Sequence, residues 1–196
     1  MVRAVTDVVG TVAAAAGVFA GTNIDDLLVL TVLFLAARSA GRPRPWQIWV
    51  GQYAGIGALV AIAGAAALGL TLLPDRWVGL LGLIPLALGV RGLLAAFRAT
   101  GDGPPVVASG LVSVAAVTIA NGSDNIAVYT PVFRTIGLVD SLLTIAVFAV
   151  LTAVWCVVGS WLGGHRSVVA ALGRFGHWLV PLVFVVIGLV ILSGLL

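Results

Sequence analysis

The chain has no lysine and no glutamate, and charged residues fill only 9% of its 196 positions. Every one of its ten basic residues is Arg and every one of its seven acidic residues is Asp. About a quarter of a soluble globular domain is charged. This scarcity, with 61% hydrophobic residues and a mean hydropathy of +1.21, excludes a soluble fold. A single cysteine, Cys156, excludes an intrachain disulfide and a cysteine-cluster metal site. The pI near 10 comes from a few arginines between apolar runs, with no basic stripe, so nucleic acid is not an expected partner.

What fills the space is apolar sequence. A helix that crosses a bilayer needs roughly 20 apolar residues, and six runs reach that length, at about 8–36, 46–73, 77–97, 106–133, 139–163 and 177–196. Turn and charge signals separate them, among them "ARSAGRPRP", "RATGDGPP" and "GGHRS". Near the N-terminus "VAAAAGVFAG" has the small residues of a signal-peptide cleavage site. The apolar run continues to Phe34, which fits a first transmembrane helix better. The expected partner is the lipid bilayer, and residues 1–196 read as one membrane domain.

Arginine placement gives an orientation. Seven (Arg38, Arg42, Arg44, Arg91, Arg98, Arg166, Arg174) fall on the side reached after helices one, three and five, against three (Arg3, Arg76, Arg134) on the other. The positive-inside rule then puts both termini outside the cytoplasm. Trp46, Trp49, Trp77, Trp161 and Trp178 lie near helix ends as interfacial anchors should, and Trp155 lies deeper.

The second half of the chain echoes the first at an offset of 99 residues. Setting "AGVFAGTNIDDLLVLTVLF" (16–34) over "AAVTIANGSDNIAVYTPVF" (115–133) puts Asp25 on Asp124, Thr31 on Thr130 and Phe34 on Phe133. Helices three and six share Pro-Leu, at Pro85 and Pro181; helices two and five carry Gly51-xxx-Gly55 and Gly159-xxx-Gly163. Three helices per repeat make the halves antiparallel. The expected fold is an all-α integral membrane protein with six transmembrane helices as two inverted three-helix repeats, about 1–98 and 106–196. In such folds cargo binds near the midplane, where the equivalent helices meet.

Those helices are one and four, and both carry polar residues mid-span. Helix one offers Thr22, Asn23, Asp25 and Asp26; helix four offers Asn121, Ser123, Asp124 and Asn125. Asp25 and Asp26 are about 100° apart on a regular helix, so they share a ligand only if the helix breaks there. Gly21 and Gly122 mark where a break would fall. All the donors are oxygens, which suits a hard divalent cation. Intramembrane carboxylates are costly, and Arg38 and Arg134 are expected beyond the helix ends, so cations or protons must meet the charge. The repeat makes Asp25, with its mate Asp124, the stronger candidate for coordination. Asp26 aligns with Asn125 and is the candidate for proton coupling. The bland alternative is that the Asn, Ser and Thr residues only tie helices together. Gln52, Tyr53 and Tyr129 are second-tier, read as packing or capping. Asp7, Asp75, Asp102 and Asp140 are expected to be solvated. His165 and His177 are too far apart to form a recognisable pair, and Cys156 reads as a small buried hydrophobe. The Gly-xxx-Gly stripes suit close helix packing and leave a homo-oligomer open.

"TNIDDLLVL" and "NGSDNIAVYTPVF" resemble the cadmium-resistance transporter family (CadD-like) of the lysine-exporter superfamily. The resemblance spans the chain. It implies secondary export of a toxic divalent metal, cadmium foremost, from the bacterial cytoplasm across the plasma membrane. The unpaired aspartates suit a metal/proton exchanger, so protons are the expected coupling ion and no resident cofactor is expected. The family's motif residues fall on Thr22, Asn23, Asp25, Asp26, Asn121, Asp124 and Asn125. Cadmium is soft and favours thiolate, whereas these donors are hard oxygens. Two other functions use the same aspartates: export of an organic cation such as a basic amino acid, and an intramembrane aspartyl protease with Asp25 and Asp124 as its dyad. The Gly-x-Gly-Asp motif of such proteases is absent.

Overall fold

The computed structural model describes residues 2–70, 80, 83–96, 110–122, 125–165 and positions 182, 185, 186, 189, 192 and 193. Ser123 and Asp124, His177 and nearly all of the expected sixth span lie outside the described residues. Seven helices are present and no strand occurs among the described residues: α1 (Val2–Thr22), α2 (Ile24–Ala40), α3 (Pro45–Gly69), α4 (Leu83–Ala96), α5 (Leu111–Asn121), α6 (Asn125–Thr135) and α7 (Leu138–Leu162). Pro45 opens α3 at its first position, where a missing N–H costs nothing. Gly41 closes α2 in the left-handed region (φ 70°), a conformation glycine adopts without strain.

Among the described residues two helices, α3 and α7, are long and apolar enough to cross a membrane. Two pairs pass the same test of length and hydropathy only together: Val8–Thr22 of α1 with α2, at a 60° bend, and α5 with α6, at a 72° bend. The expected first and fourth spans are these broken pairs, and both break inside the polar motifs. The expected third span is represented by α4, which is 14 residues long.

The long helices lie mainly across the broken pairs: α3 packs on α5 and α6, and α7 packs on α1 and α2. Glycine sets how closely they approach. A Cβ on Gly51 would sit 2.7 Å from Val114, and one on Gly55 would sit 2.5 Å from Thr118. On α7, a Cβ on Gly159 would meet Leu30 at 2.9 Å and one on Gly163 the Thr31 carbonyl at 2.8 Å. Both Gly-xxx-Gly stripes are therefore used within one chain and are not available to a second copy. Arg38 and Arg134, expected past the helix ends, lie in the last turns of α2 and α6. Each donates to the end of the long helix beside it. Arg38 Nη2 reaches the Ser160 carbonyl at 2.7 Å, and Arg134 Nε reaches that of Leu70 at 3.2 Å. A cation at a helix C-terminus is favoured by the exposed carbonyls. Asp140, expected in solvent, instead accepts a 3.1 Å hydrogen bond from Thr11 and ties α7 to α1.

Buried apolar residues form two clusters. One joins Val18, Phe19, Ile56, Leu59, Val128, Tyr129 and Phe148; the other joins Leu30, Leu33, Phe34, Ile48, Val114 and Cys156. Along α3 the buried stripe runs Ile48, Gln52, Ile56, so a polar residue separates the two clusters. Along α7 it runs Phe148, Thr152, Cys156, with the same alternation. The fold is thus two apolar cores with a polar layer between them, at the level of the breaks.

Candidate functional site

The first break is a single residue. Asn23 has φ −114° and ψ 19°, between the end of α1 and the start of α2. Broken backbone inside an apolar fold survives only if its freed groups find partners, and here they do. The Phe19 carbonyl accepts both the Asn23 N–H (3.0 Å) and Asn23 Nδ2 (2.8 Å). Thr22 Oγ1 donates to the Val18 carbonyl at 2.9 Å. The Asn23 carbonyl accepts Leu27 N–H (3.1 Å) and the indole N–H of Trp155 (2.7 Å). Trp155, deep on α7 as expected, thus holds the bend from outside.

Those bonds fix which way the Asn23 amide points. Phe19 offers only an acceptor, so Nδ2 faces it, together with Thr22 Oγ1 (2.9 Å) and the Tyr129 hydroxyl (2.8 Å). The opposite atom, Oδ1, accepts Asn125 Nδ2 at 3.3 Å. Asn125 in turn presents its own Oδ1, which is buried and has no hydrogen-bond partner among the described residues. One backbone carbonyl therefore orients two amides in series and leaves an oxygen at the end.

The second break begins with a similar backbone and a different residue. Gly122, which the 99-residue offset pairs with Asn23, has φ −91° and ψ 16° and donates to the Thr118 carbonyl at 2.8 Å. Thr118 is likewise the counterpart of Phe19. A Cβ on Gly122 would lie 2.5 Å from Leu59 Cδ1 and 3.1 Å from Asn125 Nδ2, so α3 closes directly over this bend.

The two aspartates part company. Asp26 is 3% exposed; Asp25 is half-buried. Asp25 Oδ1 accepts the Asp26 N–H at 2.8 Å, satisfying a donor in the first turn of α2. Asp26 Oδ2 accepts Gln52 Nε2 from α3, and Gln52 Oε1 accepts Thr118 Oγ1 from α5 at 2.8 Å. Asn121 lies within reach of the Asp26 carboxylate, but its buried Nδ2 makes no well-formed hydrogen bond among the described residues. Asp26 Oδ1 accepts none among them either. Arg38 is twelve residues further along α2, about 18 Å from Asp26 at a helical rise of 1.5 Å per residue.

Of the expected site residues, Thr22, Asn23, Asp26, Asn121 and Asn125 come together, and Asp25 lies at the edge. Four others join them: Gln52 and Tyr129, second-tier in the sequence, Trp155, expected only to lie deep, and Thr118, which nothing in the sequence singles out. No group of three or more His, Cys, Asp or Glu side chains converges among the described residues. The oxygens gathered here come mostly from amides and hydroxyls.

An all-helical chain with two to four candidate membrane spans, two of them broken around a buried polar layer, has the build of a membrane transport protein. The chain belongs to the cadmium resistance transporter family, whose model matches residues 19–194 and so takes in both breaks. Its function is therefore cadmium resistance transport, with a metal ion as cargo and a lipid bilayer as its setting. No curated protein and no solved structure matches the chain.

Proposed function

We propose that the protein exports a divalent heavy-metal cation of the cadmium type from the bacterial cytoplasm across the plasma membrane, in exchange for protons, and that the cargo pauses between the two breaks. One observation carries this reading. Asp26 and Asn125 are mates at the 99-residue offset, stand in the first turns of α2 and α6, and each buries a side-chain oxygen that accepts no hydrogen bond among the described residues. Buried oxygens left so are rare and costly, and a cation is what two of them would receive.

The matching backbone at Asn23 and Gly122 supports the three-plus-three inverted repeat. So does the reciprocal packing, in which α3 covers the second broken pair and α7 the first. Thr22, Asn23, Asn121 and Asn125, with Ser123, Asp124 and Asp25, make up the proposed binding set. Asp26 is the asymmetric member, a carboxyl opposite an amide, and alternates between cargo and proton. A site of few carboxylates and many neutral oxygens binds a soft ion weakly, which suits release.

The test is metal tolerance in a cadmium-sensitive host. Asp26→Asn and Asp124→Asn are expected to abolish tolerance at unchanged expression, and Asp25→Asn to reduce it. Wild-type tolerance in all three variants would overturn the reading. Excess lysine should leave cadmium transport into proteoliposomes unaffected; competition would move the cargo to an organic cation.

A further inference from the structure

We propose that Gln52 is a positioning residue that sets the cation preference of this site, by holding one oxygen of Asp26 and leaving one free. The inference rests on the reading of Asp26 given above. Gln52 belongs to neither motif. It is 1% exposed, on α3, and its amide is engaged at both ends: Nε2 donates to Asp26 Oδ2, and Oε1 accepts Thr118 Oγ1 at 2.8 Å. The residues flanking it explain how it reaches both partners. Gly51 and Gly55 let α3 come into contact with Val114 and Thr118, so an amide at position 52 lies between α2 and α5.

The consequence is chemical. A free carboxylate can grip a metal with both oxygens. Calcium takes six to eight oxygen ligands and commonly uses carboxylates this way. With Oδ2 held by Gln52, a two-oxygen grip by Asp26 would have to share that oxygen between the amide and the metal, so the geometry favours contact through Oδ1 alone. Calcium loses most from that restriction, because oxygens are its only ligands and it needs many of them. A divalent cation satisfied by fewer than calcium's six to eight oxygens loses less. Gln52 thereby biases the site against the abundant hard competitor. Thr118 contributes by anchoring Oε1, so that the amide cannot turn its acceptor toward the carboxylate.

The experiment uses purified full-length protein in detergent, with labelled cadmium and unlabelled calcium as competitor. Methionine matches glutamine in length and cannot donate, so Gln52→Met frees Asp26 Oδ2 with little change in packing. Calcium should then compete about tenfold better relative to cadmium, at the lower end of what partners of metal ligands contribute. Thr118→Val should shift the ratio in the same direction by less, and Thr118→Ser should restore it. A purely structural role would lower both affinities together and leave the ratio unmoved. If Gln52→Met does not fold, the Thr118 pair decides, since equal ratios in Val and Ser variants overturn the proposal. A wild-type protein that binds no divalent cation overturns the site itself. Wild-type binding with a ratio unchanged in Gln52→Met overturns only the role of Gln52.

Discussion

Asn23 and Gly122, one at each break, have similar backbone angles and differ in what surrounds them. At Asn23 the side chain, its neighbour Thr22, Tyr129 and Trp155 satisfy the freed groups. At Gly122 there is no side chain to do so. Asn121 Nδ2, Asn125 Oδ1 and Thr130 Oγ1, which make no well-formed hydrogen bond among the described residues, all lie in α5 or α6. The first break is closed on itself and acts as an anchor. Among the described residues the second leaves polar atoms without partners, and Asn23 Oδ1 reaches across to orient its most buried amide. One break thus holds its shape with its own side chains, and the other does not. Asp26 is the exception, an open oxygen in the first half.

The strongest way to break this contrast is to remove the anchor. Asn23→Gly makes the first break resemble the second and deletes the amide contacts to Phe19, Thr22, Tyr129 and Asn125. Hydrogen bonds inside membrane proteins contribute about 0.6 kcal/mol on average and up to about 1.7. Losing several together should destabilise the protein by about 2–3 kcal/mol. Thermal unfolding in detergent checks the size, and an unchanged midpoint would mean that Asn23 is not an anchor. The converse change, Gly122→Ala, adds a Cβ 2.5 Å from Leu59, a fully buried side chain. Overpacking of this kind costs about 1–3 kcal/mol. The same assay should show a loss no larger than that of Asn23→Gly. A neutral result would show that α3 can move away from the second break.

How much of this was legible beforehand depended on whether the signal was local. The two polar motifs, Gly21 and Gly122 mark where the helices break, because a polar run inside an apolar span is hard to place otherwise. The offset of 99 residues brings the breaks into register. What sequence could not supply was which element lies opposite. A Gly-xxx-Gly stripe announces a close neighbour without naming it, so the pairing of α3 with α5 and of α7 with α2 was out of reach. For the same reason Gln52 looked like a residue that merely packs. Its importance comes from Asp26 and Thr118, 26 and 66 residues away. Asp25 outranked Asp26 because only Asp25 has an aspartate mate. The structure buries Asp26 instead, since Asp25 is turned to the first-turn amide of α2.

A milder test acts on the contact between the halves. The Tyr129 hydroxyl lies 3.2 Å from Thr22 Oγ1 and 2.8 Å from Asn23 Nδ2, so one phenol on α6 meets both residues that close the first break. Tyr129→Phe keeps the ring against Phe148, 4.9 Å between centroids, and removes only the hydroxyl. A loss of about 1 kcal/mol in the unfolding assay is expected. The Asn23 amide keeps the Phe19 carbonyl as its orienting partner, so cadmium binding should stay within about threefold of wild type, the equivalent of less than 1 kcal/mol. A larger drop in binding would show that the phenol, rather than Phe19, orients the amide series.

The smallest expected effect separates two kinds of open valence. Thr31 and Thr130 are mates at the same offset, both buried. Thr31 Oγ1 donates to the Leu27 carbonyl at 2.6 Å, and Thr130 Oγ1 has no partner among the described residues. Replacing a bonded hydroxyl by a methyl removes a favourable contact, whereas replacing an unbonded buried one removes a desolvation cost. Thr31→Val should therefore lower stability by about 0.5–1.5 kcal/mol. Thr130→Val should leave it unchanged or raise it by up to about 1 kcal/mol. Cadmium binding by Thr130→Val then assigns the orphan. If affinity falls while stability holds, the hydroxyl serves the cargo beside Asn125 Oδ1. If affinity is unchanged, Thr130 is an uncompensated cost, and the orphan oxygens that matter narrow to the pair at positions 26 and 125.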